Sequence, residues 1–527
     1  MSLSNNASLE DQKEYARLLS VIAKHETTIE TLQHRLQLFA QARFGRKTEK
    51  GVVPEQGAFD FDETYSIEAQ PETVAEETTQ TITYTRNKKG TGRKALPKSL
   101  PYVEKIHDLA DAEKQCACGC ALSHIGDTIT EQLDTLPQMT FRVVHIRKKY
   151  ACKTCEETIR TAAMPRQPIP QSIAAPGLLA AIINSKFNHH MPLYRQEKMF
   201  SDAGVPITRA TLSQWMIKSA HLLKPLVKLM EANIQEYDIA YSDETTLQVL
   251  NEKDRLPTQK SYMWLFIGGP PSKRAFVYQY HPTRSHRIAA DFFADFKGYL
   301  HADCYKAYTE LGLLGRIKHV ACFAHARRYF VDVVKHGSKK QGLANQIIAL
   351  IAKLYLLEKC LKEKGATPET IFTERQNKAI PILNDIKALL DASQTKVPPK
   401  SPLGKALFYS LNHWNALILY VCDGRLDIDN NLSERSIKPF VIGRKNWLFH
   451  GSDIGAQAGS ILFSLIETCK AHKIDTFAWF KYTLTHVGQA HTIEELEALL
   501  PYNINTLLLD SMRNIPELII PAQEAVN

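Results

Sequence analysis

The 527-residue chain has no run of about 18 apolar residues, so no part of it reads as a transmembrane span and no membrane partner is expected. Its first ten residues, Met1 to Glu10, are polar and lack the apolar stretch of a signal peptide. A cytoplasmic, reducing compartment is therefore expected, where ten cysteines are thiols or metal ligands before they are disulfides. Glycine (24) and proline (25) are too scarce for a collagen-like or wholly disordered chain. Charge of one sign is scarce too. The 65 basic residues against 56 acidic ones leave +9, too mild over this length to prove a nucleic-acid partner. What the chain does have is 44% hydrophobic side chains, enough for a large core and roughly three or four domains.

Leu18, Ile22, His25, Ile29, Leu32, Leu36 and Phe39 alternate spacings of four and three, the rhythm of a coiled coil. Residues 1–50 are read as a helix that self-associates through this seam, making a homo-oligomer; packing within one subunit is the alternative. Residues 51–80 carry eight acids and no Lys or Arg, and read as an acidic linker. The sign then flips at Arg86, Lys88, Lys89, Arg93, Lys94 and Lys98, so that 51–100 is an acidic then basic linker. Its basic strip, with Arg93 and Lys94, can follow DNA phosphates or merely balance the acidic run.

Cys116, Cys118 and Cys120 precede a Cys152–Cys155 pair by about thirty residues. Thr140 to Tyr150 alternates between them and reads as a strand or hairpin. Two sulfur knuckles joined by a hairpin make a structural, tetrahedral Zn²⁺ site, so 101–165 reads as a zinc-binding ribbon. The second knuckle has standard spacing. The first offers three thiols for two places; Cys116 and Cys118 are preferred over Cys120. Residues 166–235 read as helical. Pro176 opens one helix, Leu193–Ala203 forms a second, Gly204 suits a turn, and Thr208 caps a third through Ile217. This resembles a helix-turn-helix with Arg209, Thr211, Ser213 and Gln214 towards the outside, where DNA base edges would lie; a plain helical hairpin is the alternative.

From Tyr237 the period changes. Ile239–Leu250, Tyr262–Ile267 and Ala275–Tyr280 read as three strands, followed by a helix over Ser285–Phe296. Short strands at Tyr299–Asp303 and Lys318–Phe323 come next, then a helix from His325. The order β-β-β-α-β-α-β-α is that of a ribonuclease H-like fold, here spanning 236–480 with a helical insertion at about 331–425. An acid in the first strand and one at the end of the fourth can meet at the sheet centre. Asp243 and Asp303 hold those places. Asn430 or Asn431 can cap a helix whose first turn carries Glu434. Three facing carboxylates repel unless divalent cations lie between them, so Asp243, Asp303 and Glu434 read as Mg²⁺ (or Mn²⁺) ligands. Cys322 and His325 are three apart; Cys322 is read as structural and His325 as a DNA-phosphate or active-site contact. Arg435, Arg444 and Lys445 could hold phosphates near the metals.

These residues resemble the transposases of the insertion sequence 66 family, TnpC type. The resemblance runs through Phe44–Lys47, Gly92–Pro97, the cysteine ribbon, Ser242–Thr245, His301–Tyr305, Cys322–Arg328, Asp429–Arg435, Gly443–Phe449 and Leu499–Asn503. It implies a DDE triad at Asp243, Asp303 and Glu434, metal-dependent DNA cleavage and strand transfer at the ends of an insertion sequence, and small accessory proteins as partners. Such a protein would work at the bacterial nucleoid. Residues 481–527 form a C-terminal region whose apolar tail has no assigned role.

Overall fold

The computed structural model describes residue 96, residue 98 and residues 100–516, with Cys118 and residues 137–138, 155–156, 337–341 and 514–515 outside the description. The expected seam helix, the acidic linker and Arg93 and Lys94 also lie outside the described residues. Within them, strands and helices are mixed throughout, and no helix is long and apolar enough to cross a membrane.

The first sheet is built on a long hairpin. β1 (Tyr102–His107) runs parallel to β3 (Met139–Ala151), which pairs antiparallel with β2 (Ser123–Leu136) and with the short β4 (Ile159–Thr161). The expected strand over Thr140–Tyr150 is β3. Arg142 crosses this sheet, 7% exposed, and donates to Glu131 Oε1 at 2.7 Å while lying over the Tyr102 ring. The base of the hairpin is fastened to the first helix, α1 (Pro176–Ile183), and to the residues just before it. The Leu133 carbonyl accepts from the Ala175 N–H, and the Leu133 N–H donates to the Ile173 carbonyl. Next along the strand, buried Asp134 meets the start of α1 and accepts from the Leu178 N–H. Ala175 offers no side-chain cap, so a carboxylate from the hairpin satisfies a helix-terminal donor instead. The approach is so close that a Cβ on Gly177 would lie 2.0 Å from Asp134 Oδ1.

α2 (Leu193–Asp202) and α3 (Arg209–Glu236) come next, separated by a turn at Gly204, whose φ of 76° suits glycine. Thr208 caps α3 by accepting from the Thr211 N–H at 3.3 Å. The sequence pattern ends this helix near Ile217, but it continues to Glu236 and includes Pro225. Its apolar stripe does not end where the motif does: Leu223, Leu226, Val227, Met230 and Ile234 are all buried and hold the extra turns against the sheet behind them.

The second sheet has the order β7-β6-β5-β8-β9. β5 (Ile239–Asn251), β6 (Lys260–Gly268) and β7 (Ala275–His281) form an antiparallel meander, and β8 (Gly298–Ala302) and β9 (Ile317–Ala321) run parallel to β5. β6 carries an unbroken buried run from Met263 to Gly268, as a strand covered on both faces must. The short β10 (His450–Ser452), not anticipated from the sequence, joins the far end of β5 in parallel. α4 (His286–Phe292) connects β7 to β8, α5 (Lys306–Gly312) connects β8 to β9, and α6 (Phe323–His336) leaves β9.

The stretch after α6 is helical, in keeping with its apolar spacing. It comprises α7 (Leu343–Glu363), α8 (Pro368–Glu374), a π turn at Arg375–Ala379, α9 (Ile380–Gln394), α10 (Pro402–Asn412) and α11 (Trp414–Ile418). Arg375 ties it together. Its guanidinium is 2% exposed, grips both oxygens of Glu358, and donates to the carbonyls of Tyr420, Asp423 and Leu426. The chain then enters α12 (Asn431–Trp447), passes β10, and continues as α13 (Asp453–Ala471). α13 seals the sheet edge at β7: Thr468 Oγ1 accepts from Phe276 N–H and Ser464 Oγ from Tyr278 N–H, at 3.1 and 2.7 Å. Two strand donors are thereby removed from solvent without another strand. α14 (Thr476–His486), α15 (Ile493–Ala498) and α16 (Thr506–Arg513) complete the described chain. The tail docks in part: Leu509 is buried and Lys481 Nζ donates to the Met512 carbonyl, while Leu507 stays exposed.

Candidate active site

The sheet register brings two acids together. β5 and β8 pair in parallel, ending at Tyr241 opposite His301. Asp243 and Asp303 each lie two residues beyond that last pair, on the same side of the pleat. Beneath them Tyr241 stacks on buried His301 with ring centroids 4.5 Å apart, and the Tyr241 hydroxyl donates to Asp427 Oδ2 at 2.6 Å. Burial pushes His301 down to about 4, so this ring is uncharged at neutral pH. His319 on β9 donates from Nε2 to the Asp303 carbonyl at 3.0 Å, which fixes the end of β8.

The third acid arrives from a distant part of the chain, and three bonds hold the start of its helix. The Asn430 amide donates to the Ser242 carbonyl at 3.0 Å, the Asn430 N–H to Cys322 Sγ at 3.2 Å, and the Phe323 N–H to the Ile428 carbonyl at 3.2 Å. Asn430 occupies the cap position of α12, as expected, but its side chain does not cap. It is used instead to pin the helix to β5, because Asp429 already accepts from the Asn431 N–H and side-chain amide. Asp429 is therefore committed locally. Glu434 Oε1 is buried without a hydrogen-bond partner; His325 Nδ1 lies 3.5 Å away and Arg328 Nη2 lies 3.9 Å from Oε2.

The three acids act on one another electrostatically, although their oxygens do not all lie within 4.8 Å of one another. Asp243 is held well above the usual carboxylate range, first by burial and then by the negative charges of Glu244, Asp303 and Glu434. Glu434 is raised by burial, against the pull of Arg328. A buried carboxyl cluster with an unpartnered oxygen is a donor set for a hard divalent cation. These carboxylates fit such a group. It would neutralise them and polarise phosphate oxygens.

The sequence marks Glu244 only as a neighbour of Asp243, and does not mark Arg284. The structure gives both a place. Glu244 accepts from Arg284 Nε and from the Tyr308 hydroxyl, each at 2.6 Å, and Arg284 lies over the Tyr305 ring. Strand alternation puts Glu244 on the opposite pleat from Asp243, where it pairs with an arginine while its charge still acts on Asp243. No local pattern points to Arg284; only its packing against β5 does.

Of the expected phosphate contacts, Arg435 and Lys445 are exposed, whereas Arg444 is turned inward to Thr245 Oγ1 and to the carbonyl and hydroxyl of Thr246. Arg444 braces α12 against β5. Arg209 and Gln214 are exposed on α3, while Thr211 is half-buried and shares a 3.0 Å hydroxyl bond with Thr208. In the ribbon, Cys116, Cys120 and Cys152 pack in one small cluster with Leu122 and Tyr150. Cys118 and Cys155 lie outside the described residues.

Comparisons with known proteins agree along the chain. A family model described as a zinc-finger binding domain of transposase IS66 matches residues 113–156, which contain all five ribbon cysteines. Others, described as the IS66 C-terminal element and as Transposase C of IS166 homeodomain, match residues 464–502 and 31–104. Uncharacterized protein y4jD of Sinorhizobium fredii is 34% identical over 421 residues, covering 77% of this chain and 81% of that protein. Uncharacterized protein y4qI of the same organism is 30% identical over 506 residues, 93% of this chain and 92% of that protein. A family model described as the transposase IS66 family spans residues 171–458, from the start of the helical region to beyond Glu434, and on that match the chain belongs to the IS66 family of transposases.

Proposed function

We propose that the chain is the catalytic transposase of an insertion sequence, cutting DNA at the element's ends and joining it to a target. The family membership implies an enzyme acting on DNA and the use of divalent metal. The observation that supports the finer reading is that Asp243 in β5, Asp303 just beyond the end of β8 and Glu434 on α12 are near enough for their charges to act on one another, with Glu434 Oε1 lacking a hydrogen-bond partner. In this reading the sheet is ribonuclease H-like and the three carboxylates hold Mg²⁺ or Mn²⁺. Bound there, the ions would supply activation of the attacking oxygen and stabilisation of the leaving one. The protein's own part is to hold the acids rigidly. The β5–β8 register does so for two, and the Asn430–Ser242 bond does so for the third.

Arg209 and Gln214 on α3, Arg435 and Lys445 on α12, His325, and Arg93 and Lys94 upstream would contact DNA. The ribbon would hold Zn²⁺ through Cys116, Cys118, Cys152 and Cys155, with Cys120 the alternative in the first pair. Residues 1–50 would carry self-association, and accessory proteins would complete the machinery. The domain boundaries at 50, 100, 165, 235 and 480 belong to the same proposal.

The test uses Asp243→Asn, Asp303→Asn and Glu434→Gln, which keep shape and remove charge. Each is expected to lower Mg²⁺-dependent cleavage and joining of the element's ends by about a thousandfold or more, with DNA affinity retained. A Glu434→Gln protein that cleaves at a near-normal rate would overturn the assignment.

A further inference from the structure

One cluster beside the acids is not accounted for by hard-ion chemistry. Cys322 lies between the end of β9 and the start of α6, and His325 comes one helical turn later, so the two side chains face the same way. α12 brings Glu434 against them. The thiol sulfur, a ring nitrogen and a carboxylate oxygen all lie within 4.8 Å of one another. His325 Nδ1 and Glu434 Oε1 are 3.5 Å apart, both buried as atoms and neither hydrogen-bonded. Cys322 Sγ already accepts the Asn430 N–H at 3.2 Å, the kind of outer contact that steadies a metal-bound thiolate.

The geometry points to a second metal site, formed by Cys322, His325 and Glu434, that takes a soft or borderline transition ion such as Zn²⁺ and shares Glu434 with the hard-ion centre. A sulfur–nitrogen–oxygen set selects Zn²⁺ over Mg²⁺, which prefers oxygen ligands alone. Bond lengths of about 2.0–2.3 Å place the ligand atoms of a tetrahedral zinc roughly 3.3–3.6 Å apart. The nitrogen–oxygen edge, at 3.5 Å, is already at that length, and the sulfur, within 4.8 Å of both, needs to close by no more than about 1 Å, within reach of side-chain rotation. The three protein ligands leave a fourth position for water. Binding replaces the thiol proton with the ion and releases that proton to solvent. Arg328 faces the other carboxylate oxygen, so Oε1 is the ligand atom. Zinc at this site would remove Glu434 from the hard-ion centre and so inhibit the reaction. That consequence rests on the proposed role of Glu434; the site itself does not.

The experiment measures zinc per chain in the full-length protein after equilibration with excess zinc and dialysis. Cys322→Ala and Glu434→Gln are each expected to hold one zinc fewer than wild type, with the ribbon cysteines unchanged in all three. Equal zinc content in wild type and Glu434→Gln would overturn the site, and that isosteric variant decides the matter if Cys322→Ala does not fold. In parallel, zinc is titrated into Mg²⁺-dependent cleavage. Half-inhibition is expected to need about tenfold more zinc, or beyond, in Cys322→Ala than in wild type. Zinc that binds as expected but leaves wild-type cleavage untouched upholds the site and refutes the role of Glu434 in the Mg²⁺ reaction.

Discussion

Replacing Arg375 with Met should loosen the segment that leads into the candidate active site. The guanidinium makes two bonds to Glu358, at 2.9 and 2.7 Å, and three to the carbonyls of Tyr420, Asp423 and Leu426, at 2.7 to 2.8 Å. It also lies 4.9 Å from the centre of the Tyr420 ring. Removing one partner of a buried charge pair costs about 3–5 kcal/mol, because the other charge is left behind. Glu358 retains some solvent access, with its side chain 18% exposed, which moderates that part. The three orphaned carbonyls add to it, at about 1–3 kcal/mol each when they cannot find water. With water reaching the three carbonyls and Glu358 partly solvated, about 4 kcal/mol of local stability remains as the expected loss, or roughly a thousandfold in the opening equilibrium. Hydrogen exchange resolved by peptide is the suitable assay, since a chain of this size need not unfold in two states. Amides across residues 419–430 should exchange up to about a thousandfold faster. The pair Arg375→Met with Glu358→Met should restore part of the protection, because no charge is then stranded. Strictly additive effects of the two substitutions, or a shift below about 1 kcal/mol for Arg375→Met, would refute the reasoning.

Three further outcomes are expected. Asp243 and Glu434 both have folded-state values raised chiefly by burial, so their contribution to stability is full below the ordinary carboxylate range and is lost as pH rises through the raised values. Mg²⁺ replaces the missing protons; its stabilising shift in melting temperature should therefore grow from the acid side to above neutrality, and a pH-independent shift would contradict the cluster. Gly177→Ala forces a methyl onto Asp134 and should cost about 1–3 kcal/mol at the hairpin–helix seam. Limited proteolysis between residues 165 and 176 reads this, and an unchanged cleavage pattern counts against that seam. Cys152→Ser with Cys155→Ser should remove ribbon zinc and loosen residues 101–165 while the second sheet, which has its own core, persists; full zinc content in that protein would sink the ribbon assignment.

From Ile239 to α6 the sequence by itself determined the element types and their order, because periodicity is local. The meander strands and the two short parallel strands each lie within a few residues of where apolar spacing put them. It also singled out Asp243, Asp303 and Glu434, since their motifs carry the family resemblance. Local pattern could not end α3, whose length is set by the sheet it packs on rather than by its cap. Nor could it find β10, three residues long and held by pairing alone. The tertiary structure alone decided which polar groups near the site are committed. Arg444 faces β5, Asp429 is taken by Asn431, Glu244 is paired with Arg284, and Glu434 Oε1 is left unpartnered beside His325. The reason is physical. A carboxylate's chemistry depends on what lies within a few ångströms of its oxygens, and here those neighbours come from segments up to about two hundred residues apart, joined only when the chain folds.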